Sequence, residues 1–385
     1  MSDVTAPTTV AEAAEISGWS RPVKLWQPRN PAFWLYLWLV VNGAFVFASG
    51  FSEQNVDSST LAIALASQVG YALLYVFFFA RADRYDRVPG TLLAMAFVFG
   101  GLVSTWLIAS PANGPLITLW SKWVSVDFAR DWGPALTAPL TEETGKLAAV
   151  IICVLLSRRH VRSAYDGLML GMFAGLGFQV FENATYMLNA AAGNFNSEPI
   201  LDMAQSFLSR GATGVFGHWL WTAIAGAGVG YYVGNPDKSK AHRLGVAGGL
   251  LLIVMLAHGL WDATLGLGFL ALPAAIVLGV ISLVMVLRYT ERQSRSWVGT
   301  LLAEDTARGT VTEDELAYLT GTLRERRKYI RSIKRSEGKA AAKQAEWVLT
   351  AQNELAAAIA ATEDPHSPEA EDARAEVARL RTTAV

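Results

Sequence analysis

Apolar residues in this chain gather into long runs separated by short polar connections, with little of the one-sided striping of surface helices. Eight runs, at about residues 33–50, 59–80, 91–110, 135–157, 167–190, 210–233, 246–264 and 267–287, approach the roughly 20 residues that carry a helix across a hydrocarbon core. The pattern predicts an all-α, polytopic helical membrane protein with about eight transmembrane helices. It divides the chain into an N-terminal segment over 1–30, a transmembrane helical domain over 31–288 and a charged helical tail over 289–385.

Basic residues alternate along the runs. Arg21, Lys24 and Arg29 precede the first, Arg81, Arg84 and Arg87 follow the second, and Arg158, Arg159 and Arg162 follow the fourth. Lys238, Lys240 and Arg243 follow the sixth, and Arg288, Arg292 and Arg295 the eighth. The opposite connections, residues 52–57 and 194–198, carry no lysine or arginine. By the positive-inside rule both termini are cytoplasmic in a multi-pass protein of the cell membrane. About thirty polar or mixed residues precede the first run and no small-residue cleavage site follows it promptly, so that run reads as a signal anchor.

The connection from Ser110 to Gly133 interleaves Trp120, Trp123, Phe128 and Trp132 with Lys122, Asp127, Arg130 and Asp131, which suits either a helix at the outer interface or an aromatic belt. In the tail, Thr312-Glu313-Asp314-Glu315 resembles a capping box opening a helix to about Arg335, and Ser367-Pro368 places Pro at the first position of a last helix. The basic residues Arg324, Arg326, Arg327, Lys328, Arg331, Lys334 and Arg335 suit either contact with anionic lipid heads or a solvated helix.

Composition agrees with a bilayer protein: 52% of residues are hydrophobic, 17% are charged and mean hydropathy is +0.30. The net charge of -1, with the charges concentrated in loops and tail, points away from nucleic acid as a partner. The lone Cys153 excludes an intramolecular disulfide and a thiolate metal site.

Against this apolar background four ionisable residues stand out. Glu142, Glu182, His218 and His258 lie in four separate runs, and counting 1.5 Å per helical residue from the expected ends places all of them in the outer half of the bilayer. Ionisable groups in hydrocarbon are costly, so a cluster at one depth reads as a functional site. In Pro139-Leu140-Thr141-Glu142-Glu143-Thr144-Gly145-Lys146, Lys146 is one turn from both glutamates and can neutralise one of them. In an α-helix, adjacent residues differ by about 100° in direction, so only one of the two glutamates should face the histidines squarely. Glu182 has Tyr186 at i+4, and Asp262 stands one turn from His258, where a carboxylate can fix the imidazole tautomer. A Glu–His–His set can hold Zn²⁺ with a fourth position open while a neighbouring glutamate takes a proton from water. A metal-free reading, in which a glutamate activates water while a histidine stabilises the oxyanion, uses the same residues.

Each piece also has a plain structural reading: Glu142, Glu143 and Lys146 as an ion-pair staple, Glu182 as a partner for Arg210, and His218 and His258 as satisfied core histidines. His160, His242 and His366 read as bystanders. Gly167, Gly171 and Gly175, like Gly226, Gly230 and Gly234, recur at i+4 and predict close helix packing. The chain has no P-loop and no HExxH.

Over about residues 130–270 the sequence resembles the PrsW family of bacterial intramembrane proteases, in a superfamily with the CAAX-processing and abortive-infection-type membrane proteases. The resemblance rests on Glu142-Glu143-Thr144-Gly145-Lys146, on Asp166-Gly167 leading through Gly175-Leu176-Gly177-Phe178 to Phe181-Glu182-Asn183-Ala184-Thr185-Tyr186, on His218, and on His258-Gly259-Leu260-Trp261-Asp262. It implies an intramembrane metalloprotease with a divalent metal, zinc, cutting a membrane-protein substrate such as an anti-sigma factor within the lipid bilayer. It implies Glu142 and Glu143 as catalytic carboxylates beside Lys146, Glu182, His218 and His258 as metal-binding or water-polarising residues, and Asp262, Tyr186 and Asn183 in support. The rival readings are a proton- or cation-coupled transporter relaying through the same cluster and a scaffold presenting its tail.

Overall fold

The computed structural model describes residues 9, 10, 13, 23–53, 57–82, 88–193 and 198–382. Arg21, Arg84, Arg87 and the stretches 54–56 and 194–197, used above for orientation, lie outside the described residues. Every regular element described is helical, as expected. The chain divides into two compact units, one of Val23–Arg84 with Val88–Val286, the other of Leu287–Val385 with Met1–Pro22 and Tyr85–Arg87.

In the first unit the helices are α1 (Pro31–Glu53), α2 (Ser58–Ala82), α3 (Gly90–Trp123), α4 (Val126–Ala138), α5 (Thr144–Leu156), α6 (Ala164–Ala192), α7 (Pro199–Thr213), α8 (His218–Gly234) and α9 (Lys240–Asp262). Helix α10 (Ala271–Leu301) follows. Five stretches are long and apolar enough to cross a membrane: Pro31–Gly50, Ser58–Ala80, Gly90–Trp123, Lys240–Asp262 and Thr264–Leu301. The other three expected runs are helical with differences that have physical causes. The fourth is interrupted by a π-helical turn at Pro139–Glu143, where Pro139 cannot donate to the preceding turn. The fifth, α6, is 29 residues long but carries Gln179, Glu182 and Asn183 among its apolar residues. The sixth begins at His218 and is 17 residues long, because Gly214 to Phe216 form a 3₁₀ turn and Gly217 caps a new helix. His218 is therefore the first residue of α8 and not eight residues into a continuous span.

Helix α6 is the buried mast of the unit. Its start is fixed by a capping box in which Ser163 Oγ accepts from Asp166 N at 3.2 Å and Asp166 Oδ2 accepts from Ser163 N at 2.8 Å, so Asp166 is a capping residue. The glycine stripes of α6 and α8 meet as expected. A Cβ on Gly171 would lie 2.1 Å from Thr222 O, and one on Gly175 would lie 2.4 Å from His218 O, distances that only glycine permits. That approach seats the first residue of α8 against the face of α6 that carries Phe178 and Glu182.

The aromatic connection expected over Ser110–Gly133 is instead a helical hairpin between the end of α3 and α4. Trp120 packs edge-on to Trp123 and Phe128, and its Nε1 donates to Thr137 Oγ1 at 3.0 Å.

The second unit is a folded helical body with its own core. After α10 come α11 (Ala303–Ala307), α12 (Glu313–Leu319), α13 (Leu323–Ser336), α14 (Gly338–Thr362) and α15 (Pro368–Thr382). Trp297, Val298, Leu301, Leu302, Val311, Leu319, Leu349, Leu355 and Ile359 form one buried cluster. Arg374 grips the fully buried Asp305 with two hydrogen bonds, at 2.6 and 2.9 Å. The helix expected from Thr312 to Arg335 is two helices, because a second capping box, Thr322 with Glu325, restarts the chain after Gly321. Ser367 caps α15 with Pro368 at its first position, as the sequence suggests.

Candidate active site

The π-helical turn decides how the paired glutamates point. Across this turn Glu142 faces both histidines, 3.8 Å from His218 and 3.6 Å from His258, while Glu143 reaches His258 alone, at 2.8 Å. The expectation was that only one glutamate would face the histidines squarely; one faces both and the other bonds one of them. Both carboxylates are buried, with Glu143 fully enclosed.

His258 Nδ1, on α9, donates to Glu143 Oε1 at 2.8 Å. Its other nitrogen, Nε2, faces two carboxylate oxygens, Asp262 Oδ2 at 3.4 Å and Glu142 Oε2 at 3.6 Å. His218 Nε2 donates to Glu182 Oε2 at 3.0 Å, and its Nδ1 lies 3.8 Å from Glu142 Oε2. Each imidazole thus has a carboxylate on one nitrogen and presents the other to Glu142, the arrangement that fixes tautomers at metal centres. The tautomers follow from these partners.

Lys146, fully buried, occupies the remaining space. Its Nζ donates to Glu143 Oε1 at 2.6 Å and to His218 Nδ1 at 2.9 Å, stands 3.6 Å from Glu142 Oε2 and lies 4.2 Å from the centre of the Phe178 ring. Lys146 thus lies within ion-pair distance of both glutamates, nearer to Glu143. Trp221 stacks on His258 at 4.5 Å between ring centres, closing the apolar side.

Glu182 sits on the outward nitrogen of His218. It is gripped by Arg210 of α7, whose Nε also donates to Asn183 Oδ1 at 2.7 Å and whose guanidinium lies 3.8 Å over the Tyr186 ring. Tyr186 and Asn183 therefore position Arg210, and the Glu182–Arg210 pair considered from sequence is present together with the Glu182–His218 bond. The side chains of Glu182, Arg210 and Asp262 are 17%, 27% and 24% exposed, so they form the rim of an otherwise buried site.

Sequence reading missed Asn113. Its Nδ2 donates to Glu142 Oε1 at 3.2 Å and its Oδ1 accepts from Thr141 Oγ1, so it fixes the rotation of Glu142. In Ser-Pro-Ala-Asn-Gly-Pro it reads as a turn residue, and no signal marks it out. The other histidines bond elsewhere: His160 with Ser157, His242 with Tyr231, and His366 with Arg308.

The donor set fits a divalent cation. Glu142, His218 and His258 each offer one ligand atom, all within 4.8 Å of one another. Glu142 Oε2, although buried, accepts no hydrogen bond among the described residues. Four carboxylates, Glu142, Glu143, Glu182 and Asp262, cluster with two basic side chains, Lys146 and Arg210. One oxygen and two imidazole nitrogens are the donors of a three-ligand zinc site with an open position.

Comparison with known proteins agrees. Residues 88–290 match the model of the PrsW family of intramembrane metalloproteases. A protein named Protease PrsW, from Clostridioides difficile (strain 630), is 24% identical over 243 residues, covering 60% of this chain and 92% of its own length. No solved structure matches. The transporter reading finds no support in these relatives, and the apolar helices fit a multi-pass membrane protein. The matched residues are more than half of the chain and contain the whole Glu–His–Lys cluster, so the chain belongs to the PrsW family of intramembrane metalloproteases and is an intramembrane peptidase.

Proposed function

We propose that Glu142, His218 and His258 hold a divalent cation, zinc, at Glu142 Oε2, His218 Nδ1 and His258 Nε2, and that Glu143 is the proton carrier of peptide hydrolysis. The observation that carries this reading is the unbonded Glu142 Oε2, 3.6 Å and 3.8 Å from the inward nitrogens of two tautomer-fixed histidines. Glu182, named with the histidines from sequence, bonds the outward nitrogen of His218, so its part is to orient that ring. Asp262 stands beside His258 at the partly exposed rim.

A cation bound there would polarise the scissile carbonyl and make bound water more acidic. The chain's own residues do the rest. Lys146 and His258 hold Glu143 by Oε1, leaving Oε2, which accepts no hydrogen bond among the described residues, to take a proton from the attacking water. The water oxygen bonds to the carbonyl carbon, the C–N bond breaks, and the proton passes from Glu143 to the departing amine. Lys146 Nζ and a cation compete for the same lone pair on His218 Nδ1, so loading the site requires Lys146 to leave that nitrogen.

The substrate in this reading is a membrane-spanning protein, with an anti-sigma factor as the class that the family resemblance suggests. The chain crosses the cell membrane about eight times with both termini and the Leu287–Val385 unit in the cytoplasm, a topology supported by the alternation of basic connections. Kinship with the CAAX-processing proteases belongs to the same proposal.

The test uses the full-length protein in proteoliposomes with a single-span substrate. Glu143→Gln should retain metal and lower cleavage by about a hundredfold or more, the contribution of a general acid–base. Glu142→Gln should lose metal and cleavage together. A Glu143→Gln protein that cuts at the wild-type rate contradicts the assignment.

A further inference from the structure

Helix α13 carries seven basic residues and one acid in fourteen positions. At 100° per residue, Arg324, Arg327, Lys328, Arg331, Lys334 and Arg335 fall on one face about 120° wide and, from first to last, about 17 Å long. All six are exposed, and none has a carboxylate partner among the described residues. The opposite face is committed to the core. Tyr329 and Ile330 pack on the buried cluster, and Arg326 turns back to donate to Leu319 O over the Tyr318 ring. The helix's one acid, Glu325, is used up in the capping box, accepting from Thr322 N at 2.6 Å. Among the described residues, ion pairs of the unit such as Arg374–Asp305, Arg379–Glu376 and Arg381–Glu315 do not involve the stripe.

We infer that this stripe is a docking surface for the anionic phospholipid headgroups of the membrane in which the chain is embedded. Charge complementarity selects an anionic partner, and a straight convex row of cations matches a charged plane, not a pocket-sized ligand. Chain length does the rest. The unit begins at Leu287, where the last apolar run ends, and Arg324 follows by about 37 residues, which even fully extended reach no more than about 130 Å. This tether keeps the local concentration of headgroups around the stripe high, and its six exposed cations have no carboxylate partner among the described residues to compete with them. Docking holds the Leu287–Val385 unit against the headgroups, and lipid composition or salt then sets how much of the time it stays there. The inference is independent of how the catalytic cluster works.

Cys153 is the chain's lone cysteine and is buried, so a cysteine introduced at Ser332, exposed on the flank of the stripe, can be labelled selectively. The full-length Ser332→Cys protein carries a donor dye in nanodiscs whose headgroups carry an acceptor, one set of phosphatidylcholine alone and one containing phosphatidylglycerol. Energy transfer should be higher in the anionic discs and fall to the phosphatidylcholine value in about 1 M salt, where the Debye length is about 3 Å. Each basic residue near an anionic surface shifts the balance about fivefold. The triple change Arg327→Gln, Lys328→Gln and Arg331→Gln should therefore lower the docked-to-free ratio roughly a hundredfold. Transfer that is equal in the two discs, insensitive to salt, or unchanged by the triple substitution overturns the inference. An acidic protein partner in place of lipid gives the first of these results. The salt arm is read on the unsubstituted stripe, so it stands even if the triple variant misfolds.

Discussion

Replacing Lys146 by Met tests the competition at the heart of the site. The ammonium donates to His218 Nδ1 at 2.9 Å and to Glu143 Oε1 at 2.6 Å, and its stem and charge lie on the Phe178 ring. A cation can use His218 Nδ1 only after the first of these bonds is broken. A hydrogen bond with one charged partner contributes about 1.5–3 kcal/mol, so methionine, which fills the same volume and suits the face of Phe178, removes an opposing cost of that size. Metal affinity should rise about tenfold to a hundredfold. The substitution also removes one of the two buried partners of Glu143 and leaves it with His258 alone, at a cost of up to about 3–5 kcal/mol to the metal-free fold. The variant should accordingly melt lower than wild type in chelator and gain more on adding zinc, since an ion that binds only the folded state stabilises it by mass action. The assay is a chelator-competition titration of detergent-purified protein, with melting curves at each metal concentration. Affinity that is equal to or weaker than wild type would refute the claim that Lys146 and the ion share one lone pair.

Three further outcomes follow from the geometry. Arg210→Ala releases Glu182 from its grip and should weaken zinc binding about tenfold to a hundredfold by loosening His218, with Arg210→Lys recovering part of it, as read by the same titration. Gly171→Val puts a Cβ 2.1 Å from Thr222 O and forces α6 and α8 apart, so the protein should fail to purify as a single species by size-exclusion chromatography. Arg374→Ala leaves Asp305 buried and unpaired and should destabilise the Leu287–Val385 unit by about 3–5 kcal/mol, seen as early proteolytic cleavage within it, while zinc affinity of the first unit stays unchanged.

Hydropathy and charge made much of this molecule legible. The eight apolar runs are all helical, and the i+4 glycines of α6 and α8 do face each other, because close packing of two helices demands small residues at that spacing. The convergence of Glu142, Glu143, Lys146, Glu182, His218 and His258 was also readable, since buried charges in apolar runs have few places to go except to one another. What stayed hidden depends on departures from regular helix. The π-helical turn that turns both glutamates inward breaks the 3.6-residue period on which direction was judged, and Pro139 alone does not announce a wider turn. The run over 210–233 is apolar on both sides of Gly217, so hydropathy does not show the break that makes His218 the first residue of a helix. Asn113 reaches Glu142 across 29 residues of chain, a contact that only tertiary packing creates. Charge dominates the composition of the tail, and Trp297, Leu301, Leu319, Leu355 and Ile359 are too widely spaced for a local pattern to reveal a shared core.

The most direct test of the central claim is the metal content, by elemental mass spectrometry, of detergent-purified wild type beside Glu142→Gln, His218→Ala and His258→Ala. The account predicts about one zinc per wild-type chain, lost in each of the three variants while all remain folded, and proteolysis that stops with chelator and returns with zinc. A folded wild-type protein that cuts its substrate without bound metal and in the presence of chelator would contradict it.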